Sequence, residues 1–223
     1  MFYKLLFFKL FFGCIVFNGI GQSTKPENHY DGILNNTSYF LYTGKLFYND
    51  SKINGTPFLE SEPNEVDIYY SGIPYKNVLS FFNISTNEFV VKNQNGNLIT
   101  LENYRIDSVI FGDRIFKPLA INNDKRRFFE VYDWSSMMLL VDHKKIIEEK
   151  ILDSKVSYQY TDDTKCYLVK GDSTIVIRSI NNLFKIFSVK KKKLKSFYKE
   201  NNKFKDISRF ESYRKVIDYF NSL

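Results

Sequence analysis

The sequence predicts an α+β protein: a mainly antiparallel β domain, built as a sandwich or a partly open barrel-like sheet, followed by two C-terminal helices. Between residues 38 and 179, short runs rich in Val, Ile, Phe and Tyr alternate with turn residues, as is typical of antiparallel strands. After residue 180 the apolar residues recur at helical spacing instead. The chain has 223 residues, which suits one medium-sized domain, and its hydrophobic content of 43% is enough for a packed core.

Strand segments dominate the β region, and turn residues separate them. The main predicted strands are 66–70, 78–84, 88–92, 98–101, 106–111, 127–133 and 137–143. Asn95 and Gly96 form the preferred pair for a two-residue hairpin turn. Gly112 and Gly171, each followed by Asp, mark two further turns. The charged stretch 148–153 interrupts this pattern and is predicted as a loop or a short helix.

Two helices are predicted after residue 182. The first carries an apolar face, with a restart at Ser188 as an alternative to one continuous helix. Ser208 and Glu211 have the spacing of a capping box and begin the second helix. Its apolar stripe is Phe210, Tyr213, Ile217 and Phe220. We therefore divide the chain after residue 22 into a β-rich domain, 23–182, and a helical segment, 183–223, packed on it.

Residues 1–22 have the layout of a secretory signal peptide. Lys4 and Lys9 are their only charges, and the apolar run 10–17 is shorter than the roughly 20 residues that span a bilayer. Small residues follow at 19, 21 and 23. A membrane anchor is the alternative, and a lipoprotein signal at Cys14 is disfavoured by the two phenylalanines at 11 and 12. We expect an exported protein that is periplasmic, extracellular or envelope-associated.

Positive charge is concentrated in the helical segment. Residues 183–223 hold 12 basic and 4 acidic residues, a net charge of +8, whereas residues 23–182 have a net charge of −3. The sequence predicts a candidate contact with an anionic surface, either anionic lipid or acidic glycan. Its residues are Lys191, Lys192, Lys195 and Lys199. The alternative is a solvated helix face, and no nucleic-acid partner is expected after export.

Signatures of catalysis and of cofactor binding are missing from the sequence. It contains no Walker loop, no His-Glu-x-x-His and no Cys-x-x-Cys, so we predict no metal and no cofactor. Ser173 follows Gly-Asp between two strand-like segments, where a hairpin turn explains it better than a nucleophile does. Cys166 and His143 lie in apolar strands and are predicted to pack there. No catalytic residue is predicted.

Six structural segments follow one another in a characteristic order, namely 55–59, 68–70, 127–131, 139–145, 166–169 and 216–223. Their order resembles that of a family of uncharacterised exported proteins from Gram-negative bacteria of the Bacteroidota type. The resemblance implies export and a mainly β architecture, and it transfers no catalytic residue. We expect a non-catalytic exported protein, either envelope-associated or binding an unknown ligand. The alternative is a periplasmic hydrolase whose site assembles only in three dimensions.

Overall fold

Strands, mostly in antiparallel pairs, are the main secondary structure of the computed structural model. It describes residue 41 and residues 44–93, 95–122, 124–152, 155–201 and 207–223. The predicted signal peptide, 1–22, therefore lies outside the described residues. The strands are β1 (Lys45–Leu46), β2 (Ile53–Asn54), β3 (Asn64–Tyr70), β4 (Ile73–Asn83), β5 (Glu88–Lys92), β6 (Leu98–Thr100), β7 (Ile106–Phe111), β8 (Arg114–Leu119), β9 (Arg127–Trp134), β10 (Met137–Asp142), β11 (Lys145–Leu152), β12 (Lys155–Asp162), β13 (Lys165–Lys170) and β14 (Ser173–Ile177).

Three α-helices follow the strands in the described residues: α1 (Ile180–Ile186), α2 (Lys191–Glu200) and α3 (Arg209–Ser222). None of the helices described is long and apolar enough to cross a membrane. The predicted fold class is confirmed, namely mainly antiparallel β structure followed by C-terminal helices. The first predicted helix is divided between α1 and α2, because the helical backbone is interrupted at Phe187 and resumes through a short 3-10 turn at Ser188–Lys190.

The main sheet has eleven strands and curls over itself while staying open. Its order is β1-β6-β5-β4-β3-β7-β8-β9-β10-β13-β14. Strands β5 and β9 are five positions apart, which would separate them by about 24 Å in a flat sheet. Yet the rings of Phe89 on β5 and Phe128 on β9 have centroids only 5.0 Å apart. The curvature encloses a phenylalanine-rich core between the two halves of the sheet.

One asparagine side chain ties these two halves together. Asn87, in the turn between β4 and β5, accepts a hydrogen bond from the Phe128 backbone N–H at 2.7 Å. Its amide nitrogen donates to the Phe128 carbonyl at 3.2 Å. Asn87 is 3% exposed and has a positive φ of 61°, a conformation that Asn adopts more readily than most residues. The turn signal in the sequence therefore also fixes long-range packing.

A second core lies between the helices and the C-terminal strands of the main sheet. Inward residues of β10 and β13 pack against α1 and the apolar face of α3. In α3 the side chains of Tyr213, Val216 and Ile217 are the most buried, and Phe210 and Phe220 flank them half-buried. The Ser208 side chain accepts a hydrogen bond from the Glu211 backbone N–H at 3.1 Å, as the capping pattern predicts.

Two local predictions are wrong. The charged stretch 148–153 was predicted as a loop or a short helix, but its described residues, 148–152, belong to β11, which pairs with β12. The Asn95-Gly96 hairpin exists, but its connection runs from Lys92 to Leu98 and is longer than two residues. There the Asn93 side chain accepts hydrogen bonds from the backbone N–H groups of Asn95 and Asn97, which favours the wider turn. Strand pairing and side-chain capping thus override the short-range signals.

Candidate functional site

Strand β9 carries a buried carboxylate. Alternation along the strand places Phe128, Glu130 and Tyr132 on one face, and Glu130 is only 4% exposed. The chain leaves β10 at Asp142, so Asp142 and His143 diverge. Asp142 pairs with Arg127 at 3.1 Å, whereas His143 turns towards Glu130. The sequence analysis placed His143 in apolar packing, and the structure shows that this packing includes a charged partner.

Glu130, His143 and Tyr132 form a connected polar cluster. His143 Nε2 lies 2.5 Å from one carboxylate oxygen of Glu130, and the Tyr132 hydroxyl donates a hydrogen bond to the other. The His143 ring lies between two aromatic rings, with centroid distances of 6.0 Å to Phe116 and 5.9 Å to Phe210. This packing fixes the imidazole plane relative to the carboxylate.

Electrostatics keep Glu130 ionised although it is buried. Burial, the largest single influence, raises its pKa. The hydrogen bond and charge of His143, the Tyr132 hydroxyl and the charge of Arg114 act in the opposite direction and leave the pKa of Glu130 below its ordinary value. Burial, followed by the bond to Glu130, raises the pKa of Tyr132, so its hydroxyl stays protonated and donates. The cluster therefore contains one charged hydrogen-bond acceptor, the Glu130 carboxylate, and two donors that are both bonded to it, His143 and Tyr132.

These residues form part of the wall of a cavity of about 380 Å³ between the sheet and the first turn of α3. We name it the Glu130 pocket. Its apolar walls come from Leu59, Ile84 and Phe210. Its other polar residues are Asp113, Arg114, Lys145, Asp162, Thr164, Ser208 and Glu211. Both hydrogen-bond donors and acceptors therefore line the Glu130 pocket, and the Phe210 ring forms part of its apolar wall.

The two cations of the pocket are held in place by the fold. The Lys145 ammonium donates to the backbone carbonyls of Thr56 at 2.9 Å and of Phe58 at 2.7 Å. Burial lowers the pKa of Lys145. The Arg114 guanidinium lies 3.1 Å from Glu60 and stacks on the Phe111 ring at 4.5 Å. Because an ammonium has three protons and a guanidinium five, both retain donors for a ligand.

The hydroxyl groups of the pocket are engaged in local structure. Ser208 caps α3, and Thr164 donates to Asp162 at 2.5 Å while accepting from the Lys144 backbone N–H at 3.3 Å. Among the described residues, neither hydroxyl group forms a hydrogen bond with His143. Among these residues, no three metal-ligating side chains come together. The described part of the pocket thus holds an oriented imidazole without an activated nucleophile beside it.

The predicted surface residues lie away from this pocket. We name Lys191, Lys192, Lys195 and Lys199 the α2 lysine patch. All four are exposed, and Lys192 and Lys199 lie on the side of α2 opposite the buried Leu194. Within the part of the chain that is described, no carboxylate pairs with them at salt-bridge distance. Lys191 and Lys192 lie in the first turn of α2, where the helix dipole disfavours positive charge, whereas Lys199 lies in the last turn, where the dipole favours it.

The two other sequence candidates are structural. Ser173 is exposed and opens β14 opposite Lys170, across the turn formed by Gly171 and Asp172. Cys166 lies in β13, is 1% exposed, and burial raises its pKa to about 12. A thiol with such a pKa is not a nucleophile at neutral pH. Neither residue lines the Glu130 pocket.

Glu130 is the functional candidate that the sequence analysis missed. A signal was present, because a charged residue in the run Phe-Phe-Glu-Val at 128–131 must either face solvent or be paired inside. Alternation from Phe128 puts Glu130 on the same face as that phenylalanine. Its partner, His143, is 13 residues away and comes into reach only through the pairing of β9 with β10.

Comparison with known proteins did not identify a relative of this chain. No family model, no curated protein and no solved structure matches this chain.

Proposed function

We propose that this protein is an exported, envelope-associated binding protein that takes a small, neutral polyhydroxy ligand such as a sugar into the Glu130 pocket. Export rests on the sequence of residues 1–22, and the ligand class rests on the pocket. The observation that carries the proposal is the ionised, buried Glu130, held by His143 and Tyr132 in the wall of a cavity of about 380 Å³. Small-molecule sites commonly have volumes of roughly 300–1,000 Å³.

The mixture of polar groups argues for hydroxyl groups on the ligand. Lys145 and Arg114 offer donors, whereas Asp113 and Asp162 offer acceptors. A hydroxyl both donates and accepts, so a polyhydroxy molecule satisfies such a mixed set without bringing in a net charge. The half-buried Phe210 supplies an apolar face against which the C–H groups of a sugar ring can pack.

Titration with neutral sugars tests the proposal. Backbone amide NMR shifts would be followed while glucose, galactose and N-acetylglucosamine are added to the wild type and to Asp113→Asn and Lys145→Gln. We expect shifts centred on β9 and the start of α3 for at least one sugar, and weaker binding in both variants. Glu149→Gln, an exposed change on β11, is the matched control and should bind as the wild type does. Absence of pocket shifts with every sugar would contradict the proposal.

Hydrolysis is a second candidate, and the Glu130–His143 contact favours it. A carboxylate that orients an imidazole is the arrangement used by general bases that activate water. The test is release of p-nitrophenol from p-nitrophenyl acetate and from p-nitrophenyl glycosides. Hydrolysis that is lost in His143→Gln while the fold is retained would support catalysis, and equal rates in both proteins would exclude it.

A further inference from the structure

A second cavity, of about 440 Å³, lies at the end of the β13–β14 hairpin beside the first residue of α3. We name it the Arg178 groove. Its charged side chains are Lys165, Arg178 and Arg209, and its other lining includes the buried Cys166 and Ile177. Thr164 lines both this groove and the Glu130 pocket, so the two cavities adjoin.

Positive charge in the groove is poorly compensated. None of the residues that line it is Asp or Glu. Lys165 approaches Asp163 at 3.5 Å, but Lys144 shares that carboxylate at 3.2 Å. Neither arginine has a salt bridge to another described residue. Three cations converging on one cavity without a carboxylate in its lining leave a site that an anion would complete.

Arg209 is held in position by the fold, although a positive charge is unfavourable at the start of a helix. Its guanidinium donates to the Thr164 carbonyl at 3.1 Å and lies 4.8 Å above the ring of Phe210. It is the first residue of α3, a 14-residue helix, where the dipole disfavours a cation. Local helix formation does not explain an arginine there, whereas recognition of an anion by the groove does.

We propose that the Arg178 groove binds a phosphate group. Guanidinium groups present parallel N–H donors that match phosphate oxygens, and Lys165 adds a further positive charge. A phosphate also carries more charge than a carboxylate, which suits three cations. Free phosphate and a phosphate attached to a larger ligand share this chemistry. The inference is independent of the proposed sugar site, because a different set of side chains carries it.

Calorimetric and NMR titration of the full chain with inorganic phosphate tests the groove. We expect amide shifts at β13, β14 and the start of α3, with binding that weakens as salt rises. Arg178→Gln changes an exposed side chain and should weaken phosphate binding by about tenfold or more, since a charge-assisted contact is lost. Lys170→Gln, on the same hairpin but outside the groove, is the control and should leave affinity unchanged.

A second variant separates the groove from the α2 lysine patch. Replacing all four patch lysines with Gln should leave phosphate affinity intact. Loss of binding in that variant, with binding retained in Arg178→Gln, would overturn the proposal. So would a wild type that shows no groove shifts in millimolar phosphate at low salt.

Glucose and glucose 6-phosphate distinguish the two sources of the phosphate. A phosphate on a larger ligand is indicated if the wild type binds glucose 6-phosphate more tightly than inorganic phosphate. In that case the affinity of Arg178→Gln for glucose 6-phosphate should fall to its affinity for glucose. Equal affinity for the two phosphates would identify free phosphate. Glucose alone reports on the Glu130 pocket, so failure of the sugar site and failure of the groove give different results.

Discussion

Replacing Glu130 with Gln should destabilise the fold, although it removes a buried charge. Two hydrogen bonds, from His143 and Tyr132, end on this carboxylate. Each is worth about 1.5–3 kcal/mol with a charged acceptor and about 1 kcal/mol with a neutral one. Removing the charge also relieves its burial cost, but the lowered pKa of Glu130 means that its partners outweigh that cost. We therefore expect Glu130→Gln to lose about 2 kcal/mol of unfolding free energy.

A thermal melt converts this loss into a measurable shift. For a domain of this size, 1 kcal/mol corresponds to roughly 2–4 °C in Tm, so Glu130→Gln should melt about 4–8 °C below the wild type. Glu149→Gln makes the same chemical change at an exposed position on β11 and should stay within about 0.5 kcal/mol of the wild type. The comparison isolates the buried cluster from the general effect of removing a carboxylate.

The difference between wild type and Glu130→Gln should depend on pH. A carboxyl whose pKa is lowered by folding stabilises the protein fully above its unfolded pKa, here near the ordinary value of 4.5. That contribution is lost as pH falls through the lower folded value. The gap in Tm should therefore narrow below about pH 4.5. Equal melting temperatures at pH 7, or a gap that widens in acid, would refute the electrostatic account of Glu130.

Three other predictions test the helices and the thiol. Ile217→Ala should cost about 2–5 kcal/mol in a chemical denaturation, since Ile217 is fully buried, whereas the exposed Asn221→Ala should be neutral. Replacing the four lysines of the α2 lysine patch with Gln should abolish salt-sensitive sedimentation with anionic vesicles and leave Tm unchanged. If the wild-type protein does not sediment with these vesicles, the patch is only a solvated helix face. Cys166 should react with a thiol reagent only in denaturant, because burial raises its pKa to about 12, and rapid labelling of the native protein would contradict this.

The fold class could be predicted because it depends on local patterns. Strand alternation, turn residues such as Gly112 and Gly171, and the Ser208 cap each act within a few residues, and the structure contains them. The stretch 148–153 could not be predicted in the same way. Its charges are compatible with an exposed strand, and the deciding contact is the pairing of β11 with β12. Tertiary pairing there outweighs the local composition.

The cavities were beyond the sequence analysis because no local motif encodes them. Arg178 and Arg209 are 31 residues apart and meet only because α3 starts beside the end of β14. Glu130 and His143 meet because β10 returns alongside β9. The sequence does contain two charged residues in locally unfavourable positions. Glu130 follows two phenylalanines in a strand, and Arg209 is the first residue of a helix.

Such conflicts distinguish the two cavities from ordinary surface. The fold resolves the first conflict internally, because Glu130 has two donors and its ionisation is stabilised. The second is only partly resolved, because Arg209 donates to a carbonyl and stacks on Phe210 without any salt bridge to a described residue. A charge whose partners lie within the fold can serve stability alone, whereas a charge that is positioned but not neutralised is available to a ligand. The Arg178 groove is therefore the stronger indicator of an anionic ligand.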